Sequence, residues 1–334
     1  MVDSDPQEMN NDELEALKKG LSSDKRVGGV PLFWGSDEKL IVEVLPLGIA
    51  SFDAALDGGF AFGRISMLIG EFSSGKTLLA YLAIKQAQAR SLTAAFIDVE
   101  RSYDPAWART LGIDVDKLLV SRPLTGEQAW DVAEALCKAQ IGVVVMDSIA
   151  QLVATAESEG AMEDMTMASL ARLVNKGLRK VVAVNEKTVL ILINQLREKV
   201  GIVFGSPETL PGGRGQKFVA HQIVRVKRGS WIEEGKGDSK RRMGYQLELR
   251  VEKSKMGAPW KTGSAPFYFT GIIDEIGGLV PLAIELEIIA KDGGWYTLPN
   301  GTRVFGKVNL YEQVRGDEAL QEELRTRIAS VPDF

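Results

Sequence analysis

Gly70-Glu71-Phe72-Ser73-Ser74-Gly75-Lys76-Thr77 stands between an apolar run, Ile65 to Ile69, and a helical pattern, Leu78 to Ile84. The octet fits G-x-x-x-x-G-K-[ST], and a place between a buried strand and a helix is where such a loop holds a nucleoside triphosphate. Its glycines let the chain curl so that backbone amides converge on phosphate oxygens. Lys76 then reaches the outer phosphates, and the Thr77 hydroxyl can ligate Mg2+. The helix amino terminus behind the loop adds positive potential. A turn of no function could spell the same letters, but it need not stand between those two elements.

Three further apolar runs have the length and β-branched content of strands buried on both faces: Ala94 to Val99, Val143 to Met146 and Val189 to Ile193. Helical patterns fill the gaps. The alternation predicts an α/β fold with a mostly parallel central sheet flanked by helices, where ligands bind at the carboxyl ends of strands. After the loop-bearing run, the next three runs end in Glu100, in Asp147 and Ser148, and in Asn194 and Gln195. Asp147 is placed to hold hydrated Mg2+. Glu100 could orient or deprotonate the attacking water. Gln195 could sense the terminal phosphate and pass the signal onward. The bland reading of each is a polar residue where a strand meets solvent.

With 334 residues and 45% hydrophobic content, the chain can fill one large core and a small second unit. The start, Met1 to Lys19, is acidic and polar, and no stretch approaches a spanning length free of charge. The expectation is a soluble, cytoplasmic protein with no membrane partner. A single cysteine, Cys137, excludes an intramolecular disulfide, and one histidine, His221, leaves little room for structural zinc. Cys137 lies in a helical pattern, Glu127 to Gln140, and reads as core; His221 reads as structural. The net charge of -5 argues against coating nucleic acid through bulk charge. Arg214 to Arg242, however, holds nine basic residues and three acidic ones, either a solvated face or a nucleic-acid contact.

From Leu247 to Lys255 the alternate positions read Leu247, Leu249, Val251, Lys253 and Lys255, so two lysines continue the apolar phase. A lysine on a buried phase needs an anionic partner. Two such lysines would project from one face and suit a phosphate on a neighbouring surface; otherwise the strand ends at Val251 and both are solvated. Arg197 to Lys217 holds Gly201, Gly205, Gly212, Gly213 and Gly215 without a sustained period. A loop that long is usually functional or disordered. Arg197, Lys199, Arg214 and Lys217 give it the charge to meet a polyanion. A second stretch, Ala156 to Met167, is acidic and leads into a helix bearing Arg172, Arg179 and Lys180. Both stretches follow strands that touch the nucleotide, so nucleotide state is expected to control polymer binding.

These residues resemble the bacterial RecA recombinase family from about Leu45 to the C-terminal region. The resemblance rests on the phosphate loop and on the blocks Phe96-Ile97-Asp98-Val99-Glu100, Asp104-Pro105 with Trp107, and Met146-Asp147-Ser148. Ile193-Asn194-Gln195-Leu196-Arg197, Phe204-Gly205, Pro207-Glu208-Thr209, Gly212-Gly213 and Lys217-Phe218 continue it in the same order. It implies a RecA-type P-loop core and an ATP-dependent recombinase. Such a protein forms a helical filament on single-stranded DNA, pairs it with homologous duplex and exchanges strands, with DNA-stimulated ATP hydrolysis between adjacent subunits.

On that resemblance Glu100 activates water, Asp104 and Trp107 face the adenine, and Lys253 and Lys255 reach the neighbouring protomer's phosphates. Glu159 to Met167 and Arg197 to Lys217 would be the DNA-binding loops, with Arg172, Asn175 and Arg179 near the DNA backbone. Self-cleavage of a damage-response repressor is a further implied activity. The domains implied are a polymerisation arm over 1–36, an ATPase core over 37–269 with loops at about 156–167 and 197–217, and a small C-terminal α/β domain over 270–334. In the last, Trp295-Tyr296 and the Pro299-Asn300-Gly301 turn suggest a hairpin, followed by a helix near Asp317 to Ile328.

The chain departs from the family at Arg26-Val27-Gly28-Gly29, where an aromatic usually precedes the first glycine, and near Thr270 and Gly271, where a shortened segment puts a base contact in doubt. An acidic tail is missing after Arg327. These differences fit a divergent or virus-borne member. Two other classes compete. A ring-forming helicase or motor would share the core and differ in assembly, because rings close while filaments lengthen. A serine acyl-transfer enzyme would use Ser73-x-x-Lys76 and Lys261-Thr262-Gly263, but it lacks the S-D-N element and an export signal.

Overall fold

The computed structural model describes residues 9–26, 30–153, 167–198 and 208–331. The chain divides into two compact units, Met1–Glu43 and Val44–Phe334. In the first, α1 (Asn11–Ser23) begins with a reciprocal capping box between Asn10 and Glu13 and buries none of its residues. The Trp34 indole N–H donates to Glu15 at 2.7 Å, and the Lys18 ammonium lies 5.5 Å from the Trp34 ring centre.

The second unit opens with β1 (Val44–Leu45), α2 (Ala50–Ala55) and β2 (Phe60–Ala61), the two strands pairing with each other. The continuous apolar runs then become strands of one sheet: β3 (Ile65–Gly70), β4 (Ala94–Asp98), β5 (Leu118–Ser121), β6 (Val143–Asp147) and β7 (Val189–Gln195). β8 (Arg197–Glu198) pairs with β9 (Glu208–Thr209) apart from it. β10 (Gln222–Glu234), β11 (Arg241–Lys253) and β12 (Thr262–Tyr268) complete an eight-stranded sheet in the order β12-β11-β10-β3-β7-β6-β4-β5. β10 through β5 run parallel, and β11 and β12 form an antiparallel edge.

Both faces of the parallel part are covered, which is why its strands do not alternate in polarity. Leu68, Phe96, Val145 and Ile191 face α3 (Lys76–Ala89), while Met67, Ile97, Met146 and Leu192 belong to the opposite core. That second core is closed by α5 (Gly126–Lys138) and α6 (Met167–Val182), which come after α4 (Pro105–Thr110). Cys137 is fully buried there, as its helical position predicts. The C-terminal segments build a third core from Leu279, Val280, Tyr296, Leu310, Leu324 and Ile328.

Three expectations change in detail. The described parts of 197–217 are not loop throughout, because β8 and β9 pair and α7 (Gly215–Val219) begins inside it. Gln216 explains the order: it is fully buried, and its amide donates to the carbonyls of Pro211 and Gly213 at 2.6 and 2.8 Å. β11 ends at Lys253, so Lys255 lies beyond the strand. The basic run Arg214 to Arg242 is spread along a long hairpin, and much of it is already engaged. Lys240 pairs with Glu233, and Arg228 and Arg242 lie 4.6 and 4.3 Å from the Trp231 ring centre.

The hairpin over β14 (Trp295–Thr297) and β15 (Arg303–Phe305) forms as its turn residues predict. Before it come α8 (Glu275–Glu285) and β13 (Ala290–Asp292); after it come α9 (Lys307–Arg315) and α10 (Glu318–Ala329), the last capped by Asp317. Among the described residues no helix is long and apolar enough to cross a membrane.

Candidate nucleotide and DNA site

The phosphate loop leaves β3 at Gly70 and enters α3 at Lys76. Gly75 sits there with φ 100°, a left-handed conformation that glycine adopts without strain. A Cβ at that position would also lie 2.6 Å from Leu247 Cδ1. No side chain caps α3, so its first amides remain open to an anion. The Lys76 ammonium donates to the carbonyls of Gly70 and Glu71 at 3.2 and 2.6 Å, and burial holds its pKa below the usual value despite Asp147 and Glu100 nearby. Of the loop's other residues Ser74 is buried, whereas Glu71, Phe72 and Ser73 are exposed.

Register brings the four strand ends together. Asp98 and Asp147 are paired across β4 and β6, and Gly70 and Gln195 across β3 and β7. Thr77 Oγ1 donates to Asp147 at 2.6 Å. Burial pushes the Asp147 carboxyl up to about 6, with the Thr77 hydrogen bond opposing the rise. A hydroxyl beside one buried carboxylate suits Mg2+, a hard cation that keeps phosphate oxygens and waters among its ligands. Glu100 accepts a hydrogen bond from the Ser148 hydroxyl and another, at 3.1 Å, from Gln195 Nε2. The predicted residues Lys76, Thr77, Glu100, Asp147, Ser148 and Gln195 thus form one constellation. The peptide bond between Asp147 and Ser148 is cis.

Beside the loop lies a cavity of about 380 Å³ lined by Ser73 to Leu78 and by Trp107, Arg228, Trp231, Tyr245, Phe267 and Phe269. Its size and aromatic walls suit a nucleoside base. Trp107 is on this wall, whereas Asp104 caps α4 through the Ala106 amide at 2.8 Å and is not on it. The aromatic residues of β10, β11 and β12 were not foreseen. Phe269 supplies an aromatic wall just before the shortened segment at Thr270. Asp98 was likewise missed as a positioning group. It is fully buried and accepts from the Ser102 amide at 2.8 Å and Arg122 Nε at 3.0 Å, which shapes the turn carrying Glu100.

Lys253 and Lys255 lie at the other end of the sheet. Lys253 pairs with Ile223, which lies opposite Met67, and the Lys255 amide donates to His221, whose own amide donates to Ile65 at 2.8 Å. Ile65 is five residues from Gly70 along β3, about 16 Å at strand rise, more than a lysine stem covers. Lys253 Nζ donates to the carbonyls of Lys217, Phe218 and Ala220 at 2.7, 3.1 and 2.7 Å. The buried phase of this lysine is therefore satisfied by carbonyls rather than by a carboxylate. Burial and Lys255 both lower its pKa.

The candidate DNA residues gather near α6. Arg172 and Arg179 are exposed with Lys176 between them, a third cation on the same helical face that the sequence reading passed over. Asn175 is half-buried against Gly215, while Gly212 and Gly213 have φ 88° and 81° and approach Val174 and Ala171. Arg197, Arg214 and Lys217 are exposed. Lys199 and 156–166 lie outside the described residues, and of Met167 only the helical backbone is described.

The family model described as the RecA N-terminal domain matches residues 15–274. A curated relative, Protein RecA of Heliobacterium modesticaldum, is 39% identical over 325 residues, covering 95% of this chain and 93% of the relative. Protein RecA of Mesomycoplasma hyopneumoniae is 38% identical over 322 residues, with 95% and 94% covered. The chain belongs to the RecA family. Protein RecA of Frankia casuarinae is similar to the same extent, 39% over 323 residues, with 95% and 92% covered. As a RecA-family protein the chain is an ATP-dependent DNA recombinase and a DNA-dependent ATPase that assembles into filaments. The acyl-transfer reading falls, because Ser73 and Lys76 belong to a phosphate loop.

Proposed function

We propose that ATP held by Gly70 to Thr77 is hydrolysed between adjacent protomers, and that its terminal phosphate governs the hold of the segments after β6 and β7 on single-stranded DNA. One observation carries this reading: Gln195 Nε2 donates to Glu100 at 3.1 Å, which ties the candidate base to the strand that leads into a DNA segment. A phosphate arriving at this pair competes for the Gln195 amide, and any shift of that residue moves the end of β7. From there Asn194 carries it on, since its amide donates to Gln216 Oε1 at 2.9 Å and to the Pro211 carbonyl at 3.0 Å. Gln216 lies beside Lys217 on α7.

In the reaction Lys76 leaves its loop carbonyls for the outer phosphates, and the free amides at the start of α3 take the remaining oxygens. Glu100 accepts the proton of the attacking water, held in place by Ser148 and Gln195. Thr77 and Asp147 would hold Mg2+, which offsets phosphate charge. Trp107 and Phe269 flank the base. Lys253 and Lys255 face away from their own phosphate loop, so they serve the nucleotide of another protomer, to which the arm 1–36 also docks. Arg172, Lys176, Arg179, Arg197, Arg214 and Lys217 meet DNA phosphates, and homologous duplex pairs on the same filament. The C-terminal domain from 270 onward adds its own core beside this machinery. Promotion of self-cleavage by a damage-response repressor completes the proposal and rests on family resemblance alone.

The test is ATP turnover with and without single-stranded DNA, joined to electron microscopy with a non-hydrolysable ATP analogue. The reading expects turnover to rise sharply with DNA and filaments to lengthen along it. Equal turnover without DNA would remove the coupling through Gln195, and closed rings would favour a motor.

A further inference from the structure

Arg64, His221 and Lys255 line a cavity of about 500 Å³ at the amino end of the sheet, with Gly63, Asn185 and Val182 among its other walls. None of the described lining residues is acidic. Among the described residues Lys255 has no ion pair, and Arg64 donates only to the Gly63 carbonyl, at 3.1 Å. His221 is 8% exposed, and its Nε2 is buried without a hydrogen-bond partner among the described residues. A buried polar atom left unpaired in a folded protein calls for an explanation. Here the surroundings supply one. Burial, together with Arg64, Lys255 and Lys253, lowers the His221 pKa, which favours the neutral ring, and in the tautomer protonated at Nε2 that atom can donate a ring N–H beside two cations.

A guanidinium fork, an ammonium and an imidazole N–H around one space are the donor set for a tetrahedral oxyanion. We propose that this cavity receives a phosphate group, and that in the filament the group is the terminal phosphate of the nucleotide held by the next protomer. His221 and Arg64 then join Lys253 and Lys255 as donors to it. The second half rests on the neighbour-facing reading of those lysines, because Ile65, beside which His221 is hydrogen-bonded, lies at the opposite end of β3 from the chain's own phosphate loop.

The experiment uses His221→Phe, which removes the nitrogen while keeping a ring, and Arg64→Ala at an exposed position. Each is expected to raise the half-saturating ATP concentration for DNA-stimulated turnover roughly tenfold, the effect of one lost charge-assisted hydrogen bond. His221→Gln, which keeps an N–H at similar reach, loses less. Each defective variant is then mixed with Lys76→Ala, whose nucleotide site is broken but whose amino-end face is intact; recovered turnover shows that the face acts on its neighbour. Wild-type ATP dependence in both His221→Phe and Arg64→Ala overturns the proposal. If Lys253→Ala is rescued by mixing and His221→Phe is not, the proposal falls while the neighbour reading stands; if neither is rescued, that reading falls too. Because the chain has a single histidine, its imidazole signal can be followed directly by solid-state NMR. A shift on filament assembly with DNA and the ATP analogue supports the proposal. A shift with inorganic phosphate alone, in unassembled protein, reassigns the cavity to free phosphate and overturns the neighbour half.

Discussion

The two ends of the central sheet are finished to different degrees. At the carboxyl ends each polar group already has a partner: Lys76 meets loop carbonyls, Thr77 meets Asp147, and Ser148 and Gln195 both meet Glu100. At the amino end, among the described residues, His221 Nε2 has no partner and Lys255 has no ion pair, although Lys253, like Lys76, is held by backbone carbonyls. On the proposed reading one end is a complete site with its groups in reserve, and the other is part of a site that a second molecule completes. A filament would then put both to use, because stacking protomers head to tail would bring an unfinished face to each finished crevice.

Mutations at the two ends should therefore fail in different ways. The largest effect is expected from Lys76→Ala, which removes the cation nearest the phosphates and should lower ATP turnover roughly a thousandfold, measured by phosphate release. Glu100→Gln should come next, losing about a hundred- to a thousandfold in turnover while still binding the ATP analogue; retained turnover would move the base elsewhere. At the other end Lys253→Ala should cost only about tenfold, through lost cooperativity in ATP, with the same thermal melting profile. Wild-type cooperativity would erase the contrast between the two ends. The smallest effects belong to residues off both ends. Lys176→Ala or Lys217→Ala should weaken oligonucleotide binding and reduce its salt slope by about 0.7, without changing DNA-independent turnover.

The sequence spells out the crevice because its parts are local. A strand buried on both faces must read as a continuous apolar run, and the residue where that run stops lies at the carboxyl edge of the sheet; Glu100, Asp147 and Gln195 were legible for that reason. The hairpin at Trp295 to Phe305 was legible through its Asn300-Gly301 turn. What stayed hidden is non-local. Asn194 and Gln216 are 22 residues apart and share no pattern, yet their hydrogen bond orders the end of a segment that reads as loop. The aromatic cavity beside the phosphate loop takes Trp231, Tyr245 and Phe269 from three places along the chain, and each alone reads as core. Asp98 looked like the tail of an apolar run, although its buried carboxylate sets the turn that positions Glu100. The alternating lysines signalled an unusual strand end, but nothing local revealed that Lys253 would cap the carbonyls of Lys217, Phe218 and Ala220.

The central claim is that nucleotide at the phosphate loop decides whether the chain grips DNA. Fluorescence anisotropy of a labelled single-stranded oligonucleotide, titrated with wild type and with Lys76→Ala in the presence and absence of a non-hydrolysable ATP analogue, tests it most directly. The account predicts tight binding by wild type only when the analogue is present, and weak binding by Lys76→Ala under both conditions. Equal binding by wild type with and without the analogue, or undiminished binding by Lys76→Ala, would contradict it.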